Sequence, residues 1–490
     1  MRFTFSRIRA ALLIASLSLG AAACATNPAT GERQLILVSR NQEIEMGQQG
    51  AEAVRQQIGL YQNQSLQEYV GRVGQELAAR SENPNLPWSF QIVDDPVVNA
   101  FALPGGFIFI TRGILGYLNS EAEMAAVIGH EIGHVTARHS AEQISRAQAA
   151  QLGLGLGSIF VPEIAQFGNV IGASLSLLFL KFGRDDERQA DELGLRYMSA
   201  ASYDPHEMVD VFTMLGRVSE ASGGSSLPTW LSTHPAPEDR RQRIEGMINS
   251  MPQSQAQGQV DRDRYLQAID GIVFGNNPRN GFFRGSTFLH PELEFTFEFP
   301  EGWQTQNLSQ MVAGMSGNQD AIIQLTLAEG NSPDAAAQQF FSQQGVRTGN
   351  TFSDAVNGLP ARWGYFGATT QDGQELRGLA TFIAYGGHVF QILGYTVASR
   401  MSAYDRLFQS TLSSFDRLTD PSALNVQPKR IEIVELNRSM SLQTFAQNYP
   451  STVDLQTLAV INGVDEGATL AAGRKMKRVV GGREEGTAGK

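Results

Sequence analysis

The protein is a chain of 490 residues, of which 42% are hydrophobic and 18% charged, so it can bury cores for about three domains. Its formal net charge of −11 argues against nucleic acid or an anionic lipid surface as the main partner. Because the chain has a single cysteine, an intramolecular disulfide and a cysteine-rich zinc site are excluded.

The first 23 residues have the pattern of an export signal. Three arginines precede an apolar run from Ala10 to Leu19, and small residues then lead to Cys24. This run is too short to span a membrane as a permanent helix. A cleavable signal peptide is therefore predicted at residues 1–23.

Cys24 stands at the predicted cleavage site, within a stretch, Ala21–Cys24, that resembles a bacterial lipobox. The leucine that usually lies three residues before the cysteine is absent. The resemblance implies that Cys24 is lipidated and begins a lipidated segment at residues 24–38. The alternative is that the Cys24 thiol has no special role. Ala25 after the cysteine implies, by the same resemblance, an outer-membrane lipoprotein that faces the periplasm.

Two helices are predicted next, at residues 39–59 and 65–81, and a pair of strands follows at residues 99–102 and 106–111. Such a pair of strands can bind an extended peptide as an added strand. An ordinary buried hairpin is the alternative.

The most informative stretch of the chain carries His130, Glu131 and His134 in the spacing His-Glu-x-x-His. An N-cap at Ser120 and a carboxylate at Glu123 predict a helix that runs without a breaker to these histidines. Residues four apart share a helix face, so both imidazoles can bind one metal ion while Glu131 reaches a metal-bound water. Two histidines buried for packing alone are the alternative.

A zinc site of this type needs a third ligand further along the chain. His139 follows His134 by five residues, which turns it off the ligand face of a continuous helix, so a structural role is predicted for it. Glu187 is followed four residues later by Asp191 on the same predicted face. Glu187 is therefore predicted to be the third ligand.

Three stretches in this order, 129–134, 187–191 and 232–235 followed by Arg240, resemble the zinc metallopeptidase family of HtpX-like and BepA-like envelope proteases and CAAX prenyl endopeptidases. The resemblance implies a mainly helical gluzincin-type domain with a small β-sheet at residues 39–250 and one Zn²⁺ per chain. It also implies that Asp191 orients a histidine ligand.

The same resemblance places His234 and Arg240 at the border of the metal site, where they help to stabilise the oxyanion. A second role for His234, as the fourth zinc ligand at rest, is left open. Glu131 is predicted to be the general base. With His234 as the donor to the oxyanion, these two are the predicted catalytic residues.

Between the two zinc motifs lies an apolar, glycine-rich segment at residues 152–182. Its uninterrupted apolar runs are too short to span a membrane. Because it joins the two helices that carry the predicted ligands, it must pass near the cleft. Two interpretations remain, a mobile lid over the metal and a pair of plain core helices.

The second half of the chain changes in character. A linker is predicted at residues 251–280, and alternating Phe295, Phe297 and Phe299 with later helical patterns predict an α+β domain of unknown role at 281–418. After a second linker at 419–430, residues 431–480 follow the order strand, helix, helix, strand, and residues 481–490 are predicted to be a flexible tail.

Residues 431–480 resemble a lysin-motif (LysM) domain, whose relatives bind peptidoglycan, although Arg438–Ser441 replace the usual Gly-Asp-Thr. The predicted fold class is thus multidomain α+β. The hypothesis is a zinc-dependent endopeptidase of the bacterial cell envelope that degrades misfolded or misassembled envelope proteins. The alternative is an envelope chaperone or assembly scaffold with latent protease activity.

Overall fold

The structure is a computed structural model that describes residues 24–154, 182–221, 230, 234, 237–308, 310–370 and 373–482. The predicted signal peptide, most of the segment at 152–182 and most of the predicted tail lie outside the described residues. The described chain forms two compact units, one made of the residues up to Gly275 with Arg430–Val480, the other of Asn276–Lys429 with the residues from Gly481.

The first unit begins with a short two-stranded sheet and continues with helices around a small mixed sheet. Its elements up to Gly275 are β1 (Cys24–Thr26), β2 (Arg33–Leu35), α1 (Arg40–Gln57), α2 (Gln64–Ala78), β3 (Ser89–Val93), β4 (Ala100–Leu103), β5 (Phe107–Thr111), α3 (Arg112–Tyr117), α4 (Glu121–Thr136), α5 (His139–Leu154), α6 (Arg184–Ala200), α7 (His206–Ala221), α8 (Pro237–Ser250) and α9 (Arg262–Ile269). Helices α1 and α2 agree with the predicted helices to within three residues at each end. Among the described helices, none is both long and apolar enough to cross a membrane.

The mixed sheet of the first unit has the strand order β3-β5-β4, with β3 parallel and β4 antiparallel to β5. Strand β5 is buried along its whole length, as the continuous apolar run Phe107–Ile110 favours. The predicted pair of strands is therefore present, and β4 lies at an edge of the sheet. Both strands pack against α4.

Helix α4 is buried at every one of its positions. Its N-cap is Ser120, whose hydroxyl accepts a hydrogen bond from the Glu123 backbone N–H, as predicted. The Glu123 carboxylate accepts from the backbone N–H of Asn119, the residue before the cap. Local capping thus fixes where the helix begins, and burial in the core of the first unit stabilises the rest.

The linker predicted at residues 251–280 is contradicted by α9. Tyr265, Leu266 and Ile269 are fully buried in the core of the first unit, and Ile272 is 2% exposed. Tyr265, Leu266 and Ile269 give α9 a single apolar face, and Ile272 follows the helix. This apolar pattern outweighs the polar Gln- and Ser-rich stretch before it, which was the signal for a linker.

The second unit is built around a seven-stranded antiparallel sheet of order β12-β13-β14-β15-β11-β10-β9 and a four-stranded sheet of order β16-β8-β7-β6. Its elements are β6 (Phe282–Arg284), β7 (Thr287–His290), β8 (Phe295–Glu298), β9 (Gln304–Leu308), β10 (Met311–Met315), β11 (Ala321–Leu327), α10 (Pro333–Phe341), β12 (Arg347–Ser353), β13 (Ala361–Thr369), β14 (Glu375–Tyr385), β15 (His388–Val397), α11 (Met401–Leu412), β16 (Asp416–Arg417) and α12 (Pro421–Leu424). Phe295 and Phe297 are buried on one face of β8, as their alternation predicts. This unit is α+β.

Residues 429–481 contain β17 (Lys429–Glu435), β18 (Met440–Ser441), α13 (Leu442–Asn448), α14 (Leu455–Ile461), β19 (Thr469–Leu470) and β20 (Lys475–Gly481). The predicted order of strand, helix, helix and strand is observed. Ile431 and Val460 also pack in the core of the first unit, while ten other buried residues of the module form a cluster of their own. Its likeness to LysM domains stays a prediction.

Lys477 on β20 ties the C-terminal module to the segment before α4. Its side chain is fully buried, and its Nζ donates to the carbonyl oxygens of Gly116 (3.0 Å), Leu118 and Ile461 (2.8 Å). The first two carbonyls stand directly before the N-cap of α4. One ammonium group therefore satisfies three carbonyls where the module meets the active-site helix.

We expect a Lys477→Met variant to lose about 2–3 kcal/mol of unfolding free energy, because three buried carbonyls are left without their donor. A fall of about 5 °C in Tm should follow. The matched control is Lys475→Met on the same strand, whose ammonium pairs at 2.9 Å with the exposed Asp263 and should contribute little. Equal Tm values for the two variants would contradict this role of Lys477.

Candidate active site

Four side chains that the sequence assigns to the metal site converge in the first unit. His130 and His134 come from α4, Glu187 from α6, and His234 from the chain before α8, and each is at most 2% exposed. One nitrogen or oxygen atom of each lies within 4.8 Å of the corresponding atoms of the other three. The sequence therefore identified every member of this cluster.

Most of these atoms are as far apart as the ligands of one tetrahedral metal ion, whereas the pairs His130–His134 and His234–Glu187 are closer together. The Nε2 atoms of His130 and His134 are 3.0 Å apart, His130 Nε2 is 3.3 Å from His234 Nδ1, and His134 Nε2 is 3.4 Å from a Glu187 oxygen. Ligands at zinc bond lengths of about 2.0–2.2 Å from a tetrahedral centre lie about 3.3–3.6 Å from one another. Three imidazoles and a carboxylate are also ligands that zinc accepts.

Glycines bring the two ligand helices into close contact. A Cβ atom at Gly133 of α4 would lie 2.7 Å from the Ala190 backbone oxygen of α6, and a Cβ atom at Gly194 would lie 2.8 Å from the His130 backbone nitrogen. Real side chains do not tolerate such distances, so these positions require glycine at this helix separation. The close packing carries Glu187 to the two histidines.

Asp191 lies beside the ligands and not among them. Its Oδ1 is 2.9 Å from His130 Nδ1, on the side of the ring that faces away from the cluster. Burial alone would raise the pKa of Asp191, but the Arg240 guanidinium outweighs it and holds that pKa below its usual value. Asp191 thus stays ionised and accepts a hydrogen bond from the ring, which orients His130.

Arg240 is bound on both sides by carboxylates. Its Nε and Nη2 donate to Asp191 at 2.7 and 2.6 Å, and its Nη1 lies 2.7 Å from Glu187 Oε2. The sequence predicted that Arg240 supports the metal site from its border or stabilises an oxyanion, and both roles stay predictions. In the structure its guanidinium contacts the Asp191 and Glu187 carboxylates.

Glu131 is a buried carboxylate of a different kind. Both of its oxygens are buried and have no hydrogen-bond partner among the residues that the structure describes. Burial raises the pKa of Glu131, although His234, whose Nε2 lies 3.7 Å away, opposes the rise. A carboxylate with a raised pKa next to a metal site is suited to take up and release a proton.

His234 lies within the ligand cluster. Its Nδ1 is 2.8 Å from Glu187 Oε1, and its ring stacks on Trp230, with ring centroids 4.4 Å apart. Burial lowers the pKa of His234, but the Glu187 carboxylate more than offsets this and raises it. Both roles that the sequence leaves open for His234, as a donor to the oxyanion and as a fourth ligand at rest, stay predictions.

Sequence reasoning missed two aromatic residues that enclose the site. Phe182, the last residue of the apolar segment, stacks on His134 with ring centroids 4.0 Å apart. Trp230 contacts the rings of both His130 and His234. The sequence did offer a signal for Trp230, because it precedes His234 by four residues and residues at that spacing share one face of a helix.

Two further predicted residues are placed by the structure. His139 is buried at the start of α5 and lies outside the ligand cluster, but it contacts the ring of His134. Cys24 begins β1, which pairs with β2. The structure describes nothing further of the Cys24 side chain.

Comparison with known proteins agrees with this site. Residues 64–248 match the description "Peptidase family M48". The chain is 37% identical over 180 residues to a mitochondrial metalloendopeptidase OMA1 of Arabidopsis thaliana, covering 36% of this chain and 35% of that protein.

Two other relatives extend the comparison. The chain is 37% identical to OMA1 of Schizosaccharomyces pombe, covering 36% of this chain and 51% of that protein. It is 26% identical to the β-barrel assembly-enhancing protease of Escherichia coli (strain K12), covering 70% and 69%. The chain thus spans between about a third and two thirds of the relatives it matches.

Proposed function

We propose, from the premise that residues 64–248 belong to peptidase family M48, that the protein is a zinc-dependent endopeptidase of the bacterial cell envelope. Its proposed substrates are misfolded or misassembled envelope proteins. The observation that carries the proposal is the Glu131 carboxylate, which has no hydrogen-bond partner among the described residues, beside the cluster of His130, His134 and Glu187. Cleavage of an unfolded protein by the wild type and not by a Glu131→Gln variant is its test.

The side chains divide the chemistry of peptide hydrolysis among them. His130, His134 and Glu187 would hold the zinc ion, which when bound lowers the pKa of a water to about 7 and polarises a carbonyl group. Glu131 accepts the proton of the attacking water and passes it to the nitrogen of the departing amine. Burial raises the pKa of Glu131, which makes its carboxylate a stronger base for that proton.

Edge strand β4 is the proposed site for the substrate backbone. It pairs on one side with β5 and packs against α4, which carries Glu131. An extended peptide that pairs with the other side gains backbone hydrogen bonds whatever its side chains are. This mode of binding suits unfolded polypeptides of varied sequence.

The relatives named β-barrel assembly-enhancing proteases support a role in the envelope. We place the protein there as an outer-membrane lipoprotein that faces the periplasm and is anchored through Cys24. Binding of peptidoglycan by residues 431–480 stays a prediction from their resemblance to LysM domains.

At rest His234 would hold the ion together with His130, His134 and Glu187, and it would be free of the ion in the substrate complex. There its ring stays close to Glu131 and can donate to the oxyanion, which is the catalytic role predicted from the sequence. Trp230, on which the ring stacks, defines the resting position.

A His234→Ala variant is therefore expected to bind a small zinc-chelating hydroxamate at least about tenfold more tightly than the wild type, since the fourth position is free. Titration of the zinc-loaded proteins with acetohydroxamate measures this. The control is His206→Ala, which removes a histidine that is 58% exposed and paired with Asp204. Equal affinity in the wild type and the His234→Ala variant would show that His234 does not fill this position.

A further inference from the structure

His139 makes a polar contact with a metal ligand that no part of the proposed mechanism uses. Its Nδ1 lies 2.9 Å from Nδ1 of His134, and its side chain is 1% exposed. The two rings meet edge to face, with an interplanar angle of 74°. This contact is on the side of the His134 ring opposite to the nitrogen that points into the cluster.

The tautomers of both rings follow from this geometry. Nε2 of His134 points to His130 Nε2 at 3.0 Å and to Glu187 at 3.4 Å, so it is the ligand atom and its Nδ1 carries the hydrogen. Nδ1 of His139 must then accept that hydrogen. Because a neutral imidazole has one acceptor and one donor, Nε2 of His139 carries its own hydrogen.

The donor of His139 has a matching acceptor further out. Its Nε2 lies 3.1 Å from Oε1 of Gln189, and Nε2 of Gln189 donates at 2.7 Å to a carboxylate oxygen of Glu32. Each donor in this series faces an acceptor, from the metal ligand to the protein surface. The carboxylate of Glu32 fixes the orientation of the Gln189 amide, which in turn fixes the tautomer of His139.

The segment that carries Glu32 is itself held to the end of α4. Asn27 is 2% exposed, and its Nδ2 donates to the carbonyl oxygens of Thr136 (3.2 Å) and Ala137 (2.7 Å). Gln34 donates to the Ala137 carbonyl as well, at 2.8 Å. The short sheet of β1 and β2 therefore satisfies backbone groups that the C-terminus of α4 leaves open, and this places Glu32 beside Gln189.

We propose that His139, Gln189 and Glu32 form a positioning relay that holds the His134 ring in the orientation and tautomer that bind the metal. His139 is then a positioning residue and not only a packing residue. The inference rests on the proposed function in so far as it takes the cluster to be a metal site. It adds that the N-terminal segment contributes to that site, in parallel with the contact of Asp191 to His130.

The test measures zinc affinity by competition with a chromophoric chelator, independently of cleavage. Loss of a group that orients a metal-bound histidine usually lowers metal affinity by about 10–100-fold, and this is the fall expected for His139→Ala. His139→Asn, whose side-chain oxygen can take the place of the Nδ1 acceptor, is expected to restore most of the affinity. His206→Ala, at an exposed histidine, is the control and should bind zinc as the wild type does.

A second variant keeps the proposal testable if His139→Ala does not fold. Gln189→Ala removes the next group of the relay at a half-buried position and should lower zinc affinity by a smaller factor, about threefold to tenfold. Its control is Arg188→Ala on the same turn, an exposed residue that pairs with Asp185.

Wild-type zinc affinity in both His139→Ala and Gln189→Ala would overturn the relay. So would a His139→Asn variant as impaired as His139→Ala, since the ring's bulk and not its acceptor would then matter. A wild-type protein that binds zinc but cleaves nothing would remove the proposed function and leave the relay intact. A wild-type protein that binds no zinc would overturn both.

Discussion

A Glu131→Gln variant should bind one zinc ion per chain as tightly as the wild type and lose about 10³-fold in kcat for cleavage of an unfolded protein. The amide has nearly the same shape as the carboxylate, so the fold and the ligand cluster persist. It has no basic oxygen that can take up the proton of the attacking water. The loss of kcat is therefore expected without loss of metal.

The measurement is the initial rate of cleavage of a permanently unfolded protein by samples of equal zinc content. Glu142→Gln is a suitable control, because Glu142 lies on the next helix and its carboxylate is paired with Arg146 at 2.6 Å. Cleavage by Glu131→Gln at the wild-type rate would remove Glu131 from the mechanism. Cleavage by neither protein, with both holding zinc, would favour the alternative of a chaperone with latent activity.

Glu187→Gln is expected to have the second large effect, through loss of the metal. Glu187 supplies the one negative charge among the four clustered side chains. Burial alone would raise its pKa, but His234 and Arg240 hold that pKa well below its usual value, so it is an ionised ligand. Replacement by a neutral amide should lower zinc affinity by about 10³-fold, more than the loss of an orienting group costs.

The control for this variant is Asp185→Asn, two residues earlier on α6. Asp185 is exposed and pairs with Arg188 at 3.1 Å, so its replacement should leave zinc affinity unchanged. Metal content after dialysis, read by atomic absorption, decides between the outcomes. A Glu187→Gln protein that retains a full equivalent of zinc would show that the carboxylate is not a ligand.

Residues that act along one helix were predictable from the sequence. The four-residue spacings of His130 with His134 and of Glu187 with Asp191 place each pair on one face, and Ser120 marks the start of α4. Those rules depend only on the spacing of residues along a helix, and this spacing can be read from the sequence. The candidate ligands His130, His134 and Glu187 followed from them, whereas His234 came from the family resemblance.

Contacts between distant elements were predicted less well. The apolar face of α9 follows a polar stretch of sequence, which led to the prediction of a linker. The three carbonyls around Lys477 belong to Gly116 and Leu118, more than 300 residues earlier in the chain, and to Ile461, 16 residues earlier. Spacing alone could not say which carboxylates contact the Arg240 guanidinium. His139 was predicted to lie off the ligand face of a continuous helix, but α4 ends at Thr136 and α5 begins at His139, and the ring contacts the second nitrogen of His134.

One signal for the helix contact was present in the sequence and was not used. Gly129 and Gly133 lie four residues apart on α4, and they face Gly194 and Ala190 on α6. Small residues at this spacing allow two helix backbones to approach closely. The pattern could have predicted that α4 and α6 are direct neighbours, and so that Glu187 reaches the histidines.

Anomalous diffraction at the zinc absorption edge, from crystals of the zinc-loaded wild-type protein, tests the central claim most directly. We predict one anomalous peak per chain, at coordination distance from His130 Nε2, His134 Nε2, a Glu187 oxygen and His234 Nδ1. The described residues hold one other cluster of suitable type, formed by Glu123, Glu207 and Asp210. A peak at that acidic cluster alone, or no peak between the histidines, would contradict the assignment of the active site.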